Sequence, residues 1–139
     1  MVRHIVPDII SNQKLVTLPP SATVRQAARK MARMNVRSVL VTRGKTLIGI
    51  FTGTDLIGRV VAAGLNPDTT KLSDVMTRDP HTVSPQENAV AALHHMQCGG
   101  FRHLPVTEGR TVVGVLSRRD FLGCEMDEIE RQELIWQEI

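Results

Sequence analysis

The sequence predicts an α/β (α+β) fold built from two β-α-β-β-α repeats that are related by a pseudo-twofold axis. Residues 16–57 align with residues 81–122 at a constant offset of 65 and without a gap. Helix-ending and turn-forming residues recur at the same positions in both copies, as do the apolar residues of the expected core. Because one copy offers two helices and a small sheet but little core, we expect the two copies to pack on each other.

The first half of each copy is predicted to be a short strand and a helix. The strands are Leu15–Leu18 and His81–Ser84, and each ends at a proline. Thr23 and Gln26 form a T-x-x-Q capping box before an apolar stripe of helical spacing, and Asn88 takes the capping position in the second copy. The helices are predicted to end at residues that accept the left-handed conformation: Asn35 and Gly99-Gly100.

The second half of each copy is predicted to be a β-hairpin followed by a second helix. Turns containing Gly44 and Gly109 join the four strands Ser38–Thr42, Thr46–Phe51, His103–Thr107 and Thr111–Leu116. The second helices are predicted to begin at Thr52 and Ser117. The chain then divides into an N-terminal segment 1–14 that packs on the second repeat, repeat 1 at 15–65, a linker and start of repeat 2 at 66–80, repeat 2 at 81–124, and a C-terminal helix at 125–139.

Composition favours a cytoplasmic protein without a membrane span. The 139 residues suffice for one compact domain, with 42% hydrophobic and 22% charged residues. No apolar stretch approaches the roughly 20 residues of a transmembrane helix, and the N-terminus lacks the apolar stretch of a signal peptide. Two cysteines, Cys98 and Cys124, do not form a disulfide scaffold and are typical of a reducing compartment.

Charge is unevenly distributed along the chain. Residues 125–139 contain six acidic residues and one arginine, whereas the rest contains 16 basic and 8 acidic residues. A basic body predicts an anionic partner, although 3% aromatic residues argue against stacking of single-stranded nucleic acid. The tail is predicted to be an amphipathic acidic helix that packs on a second copy or on the basic body, with one apolar side formed by Met126, Ile129, Trp136 and Ile139.

Three motifs connect the chain to a known family. The pattern G-h-h-[ST]-x-x-D, where h is an apolar residue, occurs at Gly49–Asp55 and again at Gly114–Asp120. Asp74–Thr77 introduces the second repeat as D-V-M-T, and Leu104–Val106 gives an L-P-V strand. In this order, and with the first motif doubled at one offset, about residues 10–124 closely resemble the tandem cystathionine β-synthase (CBS) domain family, also called the Bateman module.

The resemblance implies a regulatory module and not an enzyme. Members of the family bind an adenosyl ligand in the cleft between the repeats, typically AMP, ADP or ATP and more rarely S-adenosylmethionine or NAD. The bound ligand favours one arrangement of the repeats, and this change is passed to a partner protein, which the sequence leaves unknown. Isolated modules of the family often pair, so we expect a homodimer.

The resemblance also assigns the site residues. The family's aspartate holds the ribose hydroxyls, and its Ser/Thr and basic neighbours contact ribose or phosphate. Carried over, these positions are Asp55 and Thr52 in the first copy and Asp120, Ser117, Arg118 and Arg119 in the second. Positions that line the adenine pocket, mostly through backbone groups, are Thr17, Thr82, Val36, Arg37, Ser38, Phe101, Arg102 and His103. The first copy departs from the pattern at Leu40, where the second copy has the family's proline.

The residues of the two turns support an anion site, and also a simpler alternative. A helix N-terminus offers free N–H groups and a positive dipole end to a phosphate. Arg118 and Arg119 add two cations to the second turn, whereas Gly53 and Thr54 add none to the first. We therefore expect the second site to bind a phosphate-bearing ligand more tightly. T-x-x-D and S-x-x-D are equally capping boxes, which hold a helix start without any ligand.

Other functions receive less support from the sequence. The alternative is a protein- or nucleic-acid-interaction module that uses the basic surface without a nucleotide, although the cations of the first helix also suit a solvated face. His94 and His95 share no helix face, and no acidic or cysteine ligands converge on them, so no metal site is predicted. No nucleophile–base set and no Walker loop occur, so no catalytic residues are predicted.

Overall fold

The structure, a computed structural model, describes residues 3–11 and 13–137, leaving aside the side chains of Cys124, Gln132, Glu133, Trp136 and Gln137. The fold is mixed α/β, as the sequence predicts. The chain forms two compact units. Unit 1 comprises residues 1–14, 81–108 and 113–139, and unit 2 comprises residues 15–80 and 109–112.

Unit 2 contains the first copy. Its elements are β1 (Thr17–Leu18), α1 (Val24–Met34), β2 (Ser38–Arg43), β3 (Thr46–Thr52), α2 (Gly53–Asp55, continued by π-helical turns at Leu56–Val61), α3 (Leu72–Val75) and β4 (Thr77–Arg78). Strand β2 lies between β1, which is parallel to it, and β3, which is antiparallel, and β4 pairs antiparallel with β3. The core of this unit includes the fully buried side chains of Val24, Phe51 and Leu72.

Unit 1 contains the second copy together with the N-terminal segment. Its elements are a turn at Ile5–Ile9, α4 (Ala89–Gly99), β5 (His103–Glu108), β6 (Thr111–Ser117), a 3₁₀ turn (Arg118–Asp120) and α5 (Gly123–Gln137). Ile5 is fully buried in the same core cluster as Leu93 and Leu104. Its backbone N–H donates to the Glu87 carbonyl oxygen at 3.0 Å, which fixes the N-terminal segment beside the start of α4.

The capping signals are confirmed at both long helices of the repeats. Thr23 Oγ1 accepts from Gln26 N at 3.2 Å, while Gln26 Oε1 accepts from Thr23 N at 2.9 Å. The side chain of Asn88 caps α4 by accepting a backbone N–H at 2.8 Å. At the other ends, Asn35 and Gly100 are left-handed, with φ of +52° and +70°. Both helices therefore end where the sequence predicts.

The predicted strand His81–Ser84 is wrong. Only Val83 pairs there, in a single parallel bridge to β5. The chain then turns through Pro85, which has no N–H to extend a ladder. Strand β1 lacks the first two predicted residues, Leu15 and Val16, and ends at Leu18 before Pro19 as predicted.

The prediction of a second helix that begins at Ser117 is also wrong. Arg118–Asp120 makes one 3₁₀ turn, and the backbone of Phe121 is extended. The Phe121 side chain enters the core of unit 1, which accounts for the break in the helix. Helix α5 begins two residues later, where the Glu125 carboxylate accepts the N–H of Leu122 at 2.8 Å.

Helix α5 packs on unit 1 through part of its predicted apolar side. Ile129 is fully buried, and Met126 packs against the same core. The side chain of Trp136 and the whole of Ile139, predicted on this side, lie outside the described residues. Leu134 and Ile135, which the sequence pattern did not single out, are 61% and 53% exposed.

Two glycines on the long strands allow another segment to cross at close range. A Cβ on Gly49 of β3 would lie 2.5 Å from Met76 Sδ and 2.9 Å from the Thr77 carbonyl oxygen. A Cβ on Gly114 of β6 would lie 2.6 Å from Ile10 Cδ1. In unit 2, the segment that leads into the second repeat therefore packs on β3 of the first repeat. In unit 1, the segment that leads into the first repeat packs on β6 of the second repeat.

Substitution of Gly49 by alanine tests this crossing. The new methyl group would meet backbone at Thr77, which has little room to shift, so we expect Gly49→Ala to lower the free energy of unfolding by about 1–3 kcal/mol. Gly58→Ala is the control, because a Cβ there meets no atom within 4 Å and alanine favours a helix. Urea unfolding measures both. Equal midpoints for the two variants would contradict the close crossing.

Candidate functional site

The predicted turn of the first copy is a capping box in unit 2. Thr52 N donates to Asp55 Oδ2 at 3.0 Å, and Asp55 N donates back to Thr52 Oγ1 at 3.3 Å. Because both bonds close within four residues, the start of α2 is held by its own side chains. Only 7% of Asp55 is exposed. The simpler alternative from the sequence thus describes the geometry of this turn.

Further donors occupy the rest of the Asp55 carboxylate. Thr77 Oγ1 donates to Asp55 Oδ1 at 3.3 Å, and Arg59 Nε lies 3.4 Å from the same oxygen. Arg59 is held in place by a second bond, from Nη1 to the Met76 carbonyl oxygen at 3.0 Å. Thr52 Oγ1 adds a contact of 3.2 Å to Oδ2. Each carboxylate oxygen therefore faces two donors from the protein, which is about its full capacity.

The equivalent turn of the second copy, in unit 1, is less occupied. Ser117 N donates to Asp120 Oδ2 at 2.7 Å, as in the first copy. Asp120 is only partly buried, and no described residue donates to its other carboxylate oxygen. Arg118 is partly buried and Arg119 exposed, and neither forms an ion pair with a described residue. An acceptor and two cations thus remain available at one turn.

Arg3 ties the N-terminal segment to this second turn. Its guanidinium donates to the Asp120 carbonyl oxygen at 3.0 Å and to Glu125 Oε1 at 2.7 Å. Burial acts to raise the pKa of Glu125, but hydrogen bonds from Arg3 and from Leu122 N–H, with the charge of Arg3, outweigh it and hold the pKa below its ordinary value. Arg3 therefore binds Glu125 and the backbone of Asp120, whereas Arg59 lies on the carboxylate of Asp55 itself.

The predicted lining segments lie beside the turns at equivalent positions. Gly53 N donates to the Arg37 carbonyl oxygen at 3.1 Å, and Arg118 N donates to the Arg102 carbonyl oxygen at 3.2 Å. These bonds place the Val36, Arg37 and Ser38 segment against the first turn, and the Phe101, Arg102 and His103 segment against the second. Gly53 and Arg118 are 65 residues apart, as are the two acceptors, so the repeat extends to the hydrogen bonding of the site.

Two predicted residues stand apart from the turns. Thr17 lies on β1, and its carbonyl oxygen accepts from Lys30 Nζ at 2.9 Å. Thr82 is exposed and precedes the bridge at Val83. Within the described part of the chain, no hydrogen bond links either threonine to Asp55 or Asp120.

Sequence reasoning missed several groups around the turns. Arg59 follows Asp55 by one helical turn, a spacing that signals an ion pair. His81 stacks on Phe101 with ring centroids 5.3 Å apart. Arg3 and Glu125 are separated by 122 residues, and no local pattern relates them.

An open groove of about 600 Å³ lies in unit 2, and none of its lining residues is among those predicted for ligand binding, although Lys30 of the groove binds the Thr17 carbonyl oxygen. It is lined by Leu18, Pro19, Ser21, Ala22, Gln26, Arg29, Lys30 and Arg33. Among the described residues, no three histidine, cysteine or acidic side chains are grouped to hold a metal ion. In the same part of the chain, no helix has the length and apolar character needed to cross a membrane.

Comparison with known sequences relates the chain to one family. The model of the CBS domain matches it twice, at residues 3–62 and 72–127. The chain is 43% identical over 121 residues to the CBS domain-containing protein CBSCBSPB3 of Arabidopsis thaliana, covering 86% of this chain and 21% of that protein. It is 31% identical over 108 residues to arabinose 5-phosphate isomerase KdsD of Francisella tularensis, covering 77% of this chain and 33% of that protein. The chain thus spans about a fifth of the length of the Arabidopsis relative and a third of the bacterial one.

Solved structures share the fold over nearly the whole chain. The CBS domain protein PAE2072 from Pyrobaculum aerophilum, complexed with AMP, has a TM-score of 0.80 and 25% identity, covering 93% of this chain and 98% of that one. The hexameric CBS-CP12 protein from bloom-forming cyanobacteria has a TM-score of 0.77 and 26% identity, covering 100% of this chain and 83% of that one. With two matches of the family model over most of its length, the chain belongs to the CBS domain family and carries two CBS repeats.

Proposed function

We propose that the chain is a regulatory, non-catalytic module that binds an adenine nucleotide, with the turn at Ser117–Asp120 as its principal site. One observation carries this proposal: Asp120 keeps an unengaged carboxylate oxygen beside two arginines without ion pairs among the described residues. AMP, ADP and ATP are the proposed ligands, ahead of S-adenosylmethionine and NAD. Support comes from PAE2072, which has this fold and is complexed with AMP.

The chemistry of the second turn suits the two polar ends of a nucleotide. A carboxylate with a free oxygen accepts hydrogen bonds from ribose hydroxyls. Arg118 and Arg119 offer planar guanidinium groups to phosphate, and such charge-assisted bonds are stronger than neutral ones. At the first turn a ribose hydroxyl would compete with Arg59 and Thr77 for Asp55. The proposed order of affinity is therefore second turn over first.

Substitution of the two aspartates tests the site and its asymmetry. We expect Asp120→Ala to weaken AMP and ATP binding at least about tenfold, since hydrogen bonds to a charged group contribute about 1.5–3 kcal/mol. Asp55→Ala should change affinity much less, because the protein already occupies that carboxylate. Isothermal titration calorimetry of both variants measures the difference.

Asp127→Ala is the control for charge, since Asp127 is exposed on α5 in the same unit as Asp120. Equal losses from Asp55→Ala and Asp120→Ala would refute the asymmetry. A wild-type chain that binds none of the proposed nucleotides would refute the function.

Arg3 offers a route from the ligand turn to the rest of the protein. It joins the Asp120 backbone to Glu125 on α5, while its own carbonyl oxygen accepts the N–H of Ala89 at the start of α4. A ligand that shifts the turn would therefore act on three elements of unit 1 at once. To be transmitted, such a shift requires different ligand affinities in the two states. The regulated partner is a separate protein or a further part of a longer chain.

The ion pair of Arg3 and Glu125 predicts a pH dependence of stability. Because the folded-state pKa of Glu125 is lowered, its contribution is fully present above the ordinary glutamate pKa of about 4.3. It is lost as the pH falls through the folded-state pKa. We expect Glu125→Gln to lower the unfolding free energy at pH 7 by about 1–3 kcal/mol. The difference from wild type should shrink towards pH 3 in urea unfolding.

Glu108→Gln, at an exposed position of the same unit and outside both proposed contacts, should follow the wild type at every pH. A difference between Glu125→Gln and wild type that stays constant between pH 7 and pH 3 would contradict the role of this ion pair.

We propose that the chain self-associates through the exposed side of α2 and its continuation at Leu56–Val61. Ile57 and Val61 lie one helical turn apart and are 68% and 69% exposed, and Leu65, just beyond the end of the helix, is 43% exposed. Apolar side chains aligned in this way are typical of a protein interface. The hexameric assembly of the CBS-CP12 protein also supports pairing, and we propose a homodimer.

We expect Val61→Glu to convert this dimer to a monomer, because a charge replaces an apolar side chain at the contact. Ala62→Glu is the control: it adds the same charge to a neighbouring exposed residue that lies off the stripe. Sedimentation velocity measures the mass of both. Retention of the wild-type mass by Val61→Glu would exclude this surface as the interface.

The groove on α1 supports a second candidate function, an interaction module that needs no nucleotide. Arg29, Lys30 and Arg33 line one side of it. Salt-sensitive binding of a macromolecular partner, with no heat of nucleotide binding, would favour this function over the first.

A further inference from the structure

One face of helix α1 presents a row of cations beside an apolar surface. Gln26, Arg29, Lys30 and Arg33 follow the spacing i, i+3, i+4, i+7, so they lie along the same side of the helix. The lining of the groove also includes the apolar residues Leu18, Pro19 and Ala22, which precede the helix. The groove therefore suits a ligand that is both anionic and apolar along its length.

The positive charge of this groove is only partly compensated. Among the described residues, Arg33 forms no ion pair. Arg29 likewise forms no ion pair with a described residue, and the Asp68 carboxylate of the same unit is bound by Arg25 at 2.8 Å. Lys30 donates to the Thr17 carbonyl oxygen, and no acidic side chain of the described residues forms an ion pair with it. An acidic occupant would supply the missing charge.

The outer face of α5 has the complementary pattern. With Glu125 and Ile129 turned into unit 1, the opposite side carries Asp127, Glu130 and Leu134 at the spacing i, i+3, i+7. All three are exposed, and Leu134 is 61% exposed. This helix also carries most of the acidic excess of residues 125–139.

We infer that the acidic face of α5 from a second copy of this chain docks in the basic groove of α1. Asp127 and Glu130 would lie along the row of Arg29 and Arg33, since both rows repeat with the period of one helical turn. Leu134 would then lie against the apolar side of the groove and lose its exposure to water. The charged residues Arg29, Arg33, Asp127 and Glu130 are exposed in the single chain, whereas Ala22 of the groove is 6% exposed and Leu18 is partly buried.

This contact differs from the proposed apolar dimer contact and does not rest on nucleotide binding. It joins two different surfaces, so it leads to assemblies larger than a dimer or to a reciprocal pair. Because it depends on exposed charges, salt weakens it. An apolar contact through Val61 would be far less sensitive to salt.

Charge exchange between full-length chains tests the contact. One variant carries Arg29→Glu and Arg33→Glu, and the other carries Asp127→Lys and Glu130→Lys. Each variant has two like-charged surfaces, so we expect each alone to lose the salt-sensitive association, with a dissociation constant raised at least about tenfold. A mixture should recover it, because each groove again meets a helix of opposite charge. Sedimentation velocity at low and high salt measures the mass of each sample.

The control for net charge is Arg43→Glu with Lys45→Glu, two exposed cations at the first hairpin. This variant should associate like the wild type. The inference is overturned if the groove variant keeps the wild-type mass, if the hairpin variant loses association equally, or if mixing restores nothing.

Two further measurements separate this contact from other uses of the chain. If the groove variant instead loses binding of duplex DNA or RNA while keeping its mass, the groove serves nucleic acid and the inference is wrong. Titration of AMP into the groove variant should give the wild-type affinity. Loss of AMP binding there would mean that the groove belongs to the nucleotide site, which also overturns the inference.

Discussion

The close crossing at Gly49 and Gly114 is the constraint on which both candidate turns depend. With hydrogen in place of a side chain, β3 and β6 each admit a segment from outside their own repeat. The segment at Gly49 carries Thr77 to Asp55. The N-terminal segment, which packs at Gly114 through Ile10, also carries the side chain that reaches the 3₁₀ turn. Each aspartate is therefore surrounded in part by residues that its own repeat does not supply.

Duplication has kept the backbone of the two turns and changed the charges around it. The bonds from Gly53 to Arg37 and from Arg118 to Arg102 are equivalent, so the two turns begin in the same way before one continues as a helix and the other ends in a 3₁₀ turn. What differs is the arginine that approaches each turn from outside it. In unit 2 it lies against the aspartate carboxylate, and in unit 1 it lies on Glu125. One backbone geometry thus gives an aspartate engaged in an internal network and another with an unengaged oxygen.

Local chemistry accounts for what the sequence predicts well. Caps such as Thr23 and Asn88 act within three residues, and the constant offset locates equivalent elements without reference to tertiary structure. The failures have nonlocal or competing causes. The strand at His81–Ser84 fails because one residue meets β5 before a proline, and the helix at Ser117 is broken because Phe121 packs in the core. The groove could not be predicted from the sequence of α1 alone, because residues that precede the helix also line it.

The position of Arg3 has a consequence for any polypeptide placed ahead of it. Its side chain donates a hydrogen bond to the backbone of the turn that carries Asp120, and its carbonyl oxygen accepts one from Ala89, the first residue of α4. A polypeptide that precedes residue 3 would therefore be connected to the turn that carries Asp120 through the side chain of one residue. A displacement of the chain ahead of Arg3 would therefore act on this turn through the Arg3 hydrogen bond and not through the hydrophobic core. In a longer protein, the same contact would connect a displacement of this turn to the segment that precedes Arg3.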